Sequence, residues 1–207
     1  MSESRLDPAA WRLLFSEARS HNGWLNRPVA PELLHQLYAQ MKMGPTSMNC
    51  APLRLLFLCT PQAQARLLPH LLPGNVEKTR SAPVTVLLAY DRQFQRRLPE
   101  LFPHRPTARG IFDANTALRE TTAFRNSSLQ AAYLMLAARG LGLDCGPMSG
   151  FDAEGVEAEF FGPDSGSNSD AGEQLAINFI CNLGYGDPAA LFDRLPRLSF
   201  EQACKVL

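Results

Sequence analysis

The spacing of apolar and polar residues marks out most of the elements. In residues 30–43, Leu33, Leu34, Leu37, Tyr38 and Met41 gather on one helical face. Gly44-Pro45 ends that helix: glycine permits a left-handed cap and proline cannot continue the ladder. Residues 53–59 form a short apolar run that predicts a core strand. Residues 84–90 are β-branched and apolar enough for a central strand, and residues 175–181 predict another. A first helix is expected over residues 8–18, opened by Asp7-Pro8, and another over residues 62–72. Residues 124–141 give the longest clear helix, with almost no polar face, which predicts a core or subunit-interface position. Residues 74–83 and 144–152 read as connections, with Asp152 placed to cap a helix through Phe160. Helices and strands alternate only partly, so a mixed rather than purely parallel sheet is expected.

Two stretches break the pattern. Residues 91–122 hold Arg92, Arg96, Arg97, Arg105, Arg109 and Arg119, interrupted by three prolines and by Phe94, Phe102 and Phe112. They predict short helices and a loop, either a lid over a site or a solvated excursion with its basic residues outermost. Residues 163–174 are rich in Gly, Ser, Asp and Asn and predict a mobile insertion.

Composition narrows the class. The 207 residues suit a single domain with a real core, 45% of them hydrophobic. Twenty basic side chains balance twenty acidic ones, which argues against nucleic-acid binding but not against a local pocket for a small anion. The five cysteines show no CxxC pair and the four histidines no ligand spacing, so no metal site is predicted. The polar N-terminus is no signal peptide, and no apolar run reaches membrane-spanning length. A cytoplasmic protein is expected, with no membrane partner.

No hydrolase or zinc-protease signature occurs, and the Gly-x-Gly pairs lack a Rossmann context. The candidate chemistry is dispersed: Arg19-Ser20 with Asn22, Pro45-Thr46-Ser47-Met48-Asn49, Asn75 with Lys78, Pro147-Met148-Ser149-Gly150, and Arg194 with Arg197. In this order the motifs resemble those of the FMN-dependent nitroreductase family, over nearly the whole chain. Arg19-Ser20-His21-Asn22 departs from the family's Arg-Ser-x-Arg at Asn22. The runs at 42–47, 120–133, 146–152 and 195–201 are most similar to the malonic semialdehyde reductase subfamily of pyrimidine utilisation.

The resemblance implies an α+β, three-layer α/β/α sandwich with a mixed, mainly antiparallel sheet. It implies an intertwined homodimer with composite sites, FMN as cofactor and NADPH or NADH as reductant. A phosphate with nearly two negative charges wants forked arginines and a lysine, which Arg19, Lys78 and Arg194 or Arg197 can supply. Flavin edges want amide and backbone partners, for which Asn49, Asn75 and the Met148–Gly150 backbone are suited. The loop with Pro45, Thr46, Ser47 and Asn49 is expected from the opposite subunit. Phe102, His104, Phe112 and Phe124 are the candidates for acceptor contact, and no catalytic acid or base is assigned. The expected reaction is reduction of malonic semialdehyde to 3-hydroxypropionate. The alternatives are broad nitroreductase or quinone reductase activity, or a non-enzymatic flavin-binding protein.

Overall fold

A computed structural model describes residues 5–162 and 173–207. After α1 (Pro8–Trp11) the chain widens into a π-helical turn and buries no residue up to Ser16. The expected helix over residues 8–18 is therefore shorter and lies on the surface. Helix α2 (Pro31–Met41) buries Leu37 and Met41 as the pattern predicts. Gly44 follows, but with no left-handed φ. Its lack of a side chain serves space instead, since a Cβ there would collide with the Tyr133 ring.

Strand β1 (Leu53–Leu58) leads through α3 (Pro61–Leu67) and α4 (Pro73–Arg80) to β2 (Val84–Asp91). Three short elements follow: a 3-10 turn at Phe94–Arg97, α5 (Leu98–Leu101) and α6 (Ala108–Asp113). The long helix α7 (Thr116–Gly140) precedes β3 (Asp144–Met148), α8 (Ala153–Phe161) and β4 (Leu175–Gly184). The chain closes with α9 (Phe200–Ala203).

The four strands lie in the order β1-β2-β4-β3, every neighbouring pair antiparallel. Among the described residues the one parallel contact is an isolated bridge between Ser20 and Cys145. Alternation along β2 builds the layers. Val84, Val86 and Leu88 face a cluster with Leu37 and Met41 of α2 and Ala131, Leu134 and Ala138 of α7. Leu87 faces the other side, with Leu67 of α3 and Val156 and Phe160 of α8. Each fully buried leucine here contributes about 1.5–3 kcal/mol. The result is helix, sheet, helix, as expected.

Two elements escaped the pattern. β3 contains Gly146 and Pro147, yet proline is tolerated because β3 is an edge strand. α4 opens with Pro73 at its first turn and carries little apolar periodicity, so it reads as a connector. α7 starts earlier than expected, capped by the Asn115 side chain on the Leu118 N–H. Its buried face is also more polar than expected. The Asn126 carbonyl accepts the Ser47 N–H at 2.9 Å, and the Gln130 carbonyl accepts the Leu53 N–H at 3.0 Å. Asp152 occupies the N-cap of α8, but its side chain makes no capping bond. Most of the expected mobile insertion lies outside the described residues. At its end, Glu173 is held by Arg54 at 2.6 Å.

Candidate functional site

Residues 19–22 run beside the β3 edge, with the His21 N–H donating to the Cys145 carbonyl at 3.0 Å. This places Arg19, Ser20 and Asn22 along one wall of a cleft of about 670 Å3. The opposite wall is the C-terminal segment, which contributes Phe192, Arg194 and Arg197. The Arg19 guanidinium donates to the Phe192 carbonyl and links the walls. Arg139, in the last turn of α7, completes the lining. It holds the Leu14 carbonyl at 3.1 Å through Nη1, while its Nε is buried without a partner among the described residues. Four arginines thus converge on one cleft, with Asp193 the sole carboxylate in its lining among the described residues.

The second group adjoins the first. Asn75 and Lys78 stand three residues apart on α4 and share a face. The Lys78 ammonium donates to the Asn22 side-chain oxygen at 3.3 Å, tying α4 to the cleft wall. Partial burial pushes the Lys78 pKa down from its ordinary value. The Asn75 amide donates to the Gly150 carbonyl at 2.7 Å, which fixes the turn after β3. Ser149 and Pro147 are exposed there, and Met148 is buried against the Thr79 hydroxyl. Arg19, Ser20, Asn22, Asn75, Lys78, Gly150, Arg194 and Arg197 therefore belong to one connected region.

The loop at residues 45–49 does not join them. The Tyr133 hydroxyl donates to the Pro45 carbonyl at 3.0 Å, and Asn126 holds Ser47. Thr46 accepts the Ala51 N–H through its hydroxyl, and the Asn49 amide donates to the Leu101 carbonyl at 2.9 Å. Asn126 and Arg139 are thirteen residues apart on α7. At about 1.5 Å rise per residue the loop's anchor and the arginine cleft are roughly 20 Å apart along the helix. Within the loop Met48, Asn49 and Ala51 all have positive φ, at 51°, 50° and 36°. Three such non-glycine residues carry backbone strain beyond ordinary turn chemistry. Beneath the loop, burial pushes the Cys50 thiol up to about 11, so it is an inert core group.

Around the loop pack residues 91–122, whose Phe94, Leu98, Ala108 and Phe112 form a third core cluster with Cys50 and Ala123. Phe112 was expected at an acceptor. It is 3% exposed and packs edge-on against Phe94, so it is a structural residue of this segment. Phe102 is half-buried with the exposed His104 ring 3.9 Å away, centroid to centroid. Phe124 is 52% exposed and meets Tyr90 edge-on. Phe124, Tyr90 and Arg125 line a shallow cleft of about 780 Å3.

Arg139 is the site residue that sequence reasoning missed. A basic residue in the last turn of a helix reads as a partner for the helix dipole, and nothing local marks it further.

The model of the nitroreductase family matches residues 16–178, well over half of the chain. This chain belongs to the nitroreductase family. The match spans Arg19 to Gly150, while Arg194 and Arg197 lie beyond it. Solved structures of similar proteins agree in fold. A candidate nitroreductase, ydfN of Bacillus subtilis, superposes with a TM-score of 0.83 at 19% identity, over 96% of this chain and 99% of its own. A candidate nitroreductase from Exiguobacterium sibiricum, solved in complex with FMN, gives 0.81 at 17% identity over the full length of both chains. A candidate NAD(P)H:FMN oxidoreductase from Staphylococcus epidermidis gives 0.77 at 16%, over 100% of this chain and 99% of its own. The nitroreductase fold is thus shared over essentially the whole length.

The donor set of this nitroreductase-family chain suits a flavin mononucleotide. The arginine cleft offers forked donors to a phosphate. Asn75 and the turn at Gly150 offer amide and backbone groups a short way along.

Proposed function

We propose that this chain is an FMN-dependent NAD(P)H oxidoreductase whose flavin sites are each shared by two copies of the chain. The observation that carries the reading is the convergence of Arg19, Arg139, Arg194 and Arg197 on one cleft, beside the Lys78–Asn22 pair. That charge suits a phosphate dianion, and family membership makes FMN the phosphate compound to expect. Arg19, Lys78 and Arg194 or Arg197 would hold the phosphate, with Arg139 behind them. Asn75 and the Ser149-Gly150 backbone would meet the ring edge. Bound FMN supplies the hydride chemistry, and the protein orients it and limits access to it.

The roughly 20 Å between the loop at residues 45–49 and the cleft supports sharing. A loop that far from the cleft is placed to serve the flavin of a two-fold partner. The strained Met48 and Asn49 suit a segment held in place for a ligand.

The acceptor proposed is a small aldehyde acid, malonic semialdehyde, reduced to 3-hydroxypropionate. Arg125 lies beside exposed Phe124 and makes no ion pair among the described residues, so it suits a carboxylate. A broader reading, reduction of nitroaromatics or quinones, needs only the apolar Phe124 and Tyr90 surface. The test is a flavin spectrum followed by an acceptor panel. FMN-loaded protein should bleach under anaerobic NADPH or NADH and recover its colour with malonic semialdehyde. Recovery with nitroaromatics or quinones alone would favour the broader reading. Bound flavin that neither nucleotide bleaches would mark a carrier instead of an enzyme.

A further inference from the structure

His21 lies between Ser20 and Asn22, which line the arginine cleft, but its own side chain turns the other way and is buried. Its Nε2 is 3.3 Å from Oδ1 of Asp144, at the start of β3. The other oxygen of that carboxylate accepts the Gly186 N–H at 2.9 Å. Gly186 lies just past β4, six residues before Phe192 on the opposite wall. One carboxylate therefore engages both walls at their base, through His21 on one side and Gly186 on the other. At the rim Arg19 and Phe192 connect the same two segments.

The packing leaves the bracket little freedom. A Cβ on Gly186 would collide with the His21 ring, so this glycine is there for the imidazole. A Cβ on Gly146 would come within 2.5 Å of the His21 carbonyl. His21 Nδ1 is buried with no partner among the described residues, so the Asp144 carboxylate, 3.3 Å from Nε2, is the polar contact that faces the ring.

We propose that His21 and Asp144 are positioning residues for anion binding, setting the separation between the Arg19 wall and the Arg194–Arg197 wall. Neither touches the ligand. Each acts through the backbone on the arginines that do. The proposal rests on the flavin reading for its probe, FMN, and riboflavin serves as the probe that lacks the phosphate.

The experiment titrates FMN and riboflavin into wild-type protein and into Asp144→Asn, His21→Leu and His21→Gln. Asparagine keeps the shape of Asp144 but removes its charge and turns an amide NH2 towards one of its two neighbours. Glutamine in place of His21 keeps an N–H donor, whereas leucine does not. Asp144→Asn and His21→Leu should weaken FMN on the order of tenfold and leave riboflavin unchanged, with His21→Gln close to wild type. Equal losses for FMN and riboflavin, or an unchanged FMN preference in both variants, would overturn the bracket. If His21→Leu fails to fold, the near-isosteric Asp144→Asn and the rescue by His21→Gln decide the matter by the same comparison. A wild-type protein that does not prefer FMN to riboflavin would instead refute the phosphate reading beneath it.

Discussion

The Asn75 amide and the Gly150 carbonyl meet at 2.7 Å, and a Cβ on Gly150 would lie 2.7 Å from that same nitrogen. The bond joins α4 to the turn after β3, and it forms only because residue 150 has no side chain. Gly150→Ala should push Asn75 away and weaken FMN by about 1–2 kcal/mol, on the order of tenfold. Asn75→Ala should do the same. A flavin titration checks both, and an unchanged dissociation constant in Gly150→Ala would remove this turn from the site.

Arg19→Ala should remove a charge-assisted contact of roughly 1.5–3 kcal/mol, on the order of ten- to a hundredfold in FMN affinity. Arg139→Ala should also weaken FMN, and it should loosen the N-terminal segment as well, because Arg139 holds the Leu14 carbonyl. Limited proteolysis beside the titration separates the two effects: only the Arg139 variant should be cut faster near residue 14.

The sequence made the core elements legible because period and burial coincide in them, as in α2 with Leu37 and Met41. The arginine cleft was legible through resemblance alone, since Arg19 and Arg194 are 175 positions apart. Two kinds of information were hidden. β3 has a proline and a glycine where a strand signal should stand, and only its edge position explains them. Gly44 and Gly186 look like turn residues, but their roles are to leave space for Tyr133 and His21. Such contacts belong to tertiary packing and leave no local trace. Phe112 shows the converse: an aromatic in a polar segment suggested a substrate contact, yet the segment has a small core of its own.

Phe112→Ala should therefore cost about 3–5 kcal/mol of stability, the usual range for a buried phenylalanine. Phe102→Ala, at a half-buried position, should cost less and should change the ranking of acceptors. Urea unfolding and an acceptor panel on both variants check this. A Phe112 variant with an unshifted midpoint would contradict its core assignment.

Burial lowers the Lys78 pKa in the free protein, so the neutral form is favoured there relative to the unfolded chain. Between the folded and unfolded values the unfolded chain binds more protons, and stability from this group rises with pH. A phosphate beside Lys78 favours the charged form instead. FMN binding should then take up a proton and weaken as pH rises from neutral towards about 10. Lys78→Arg stays charged over that range and should flatten the decline. Titrations across the pH range decide it, and a parallel alkaline fall in both proteins would assign the effect to another group.

In the proposed dimer each flavin is served by Arg19 of one copy and the loop bearing Asn49 of another. Mixed dimers distinguish this sharing from a site built by one chain. Arg19→Ala and Asn49→Leu should each be inactive alone. Refolded together and isolated with two different affinity tags, the mixed dimer carries both lesions in one site and none in the other. It should regain up to about half of the wild-type activity, by two-fold symmetry. A mixed dimer with wild-type secondary structure and no activity would mean that Arg19 and Asn49 serve the flavin from the same chain.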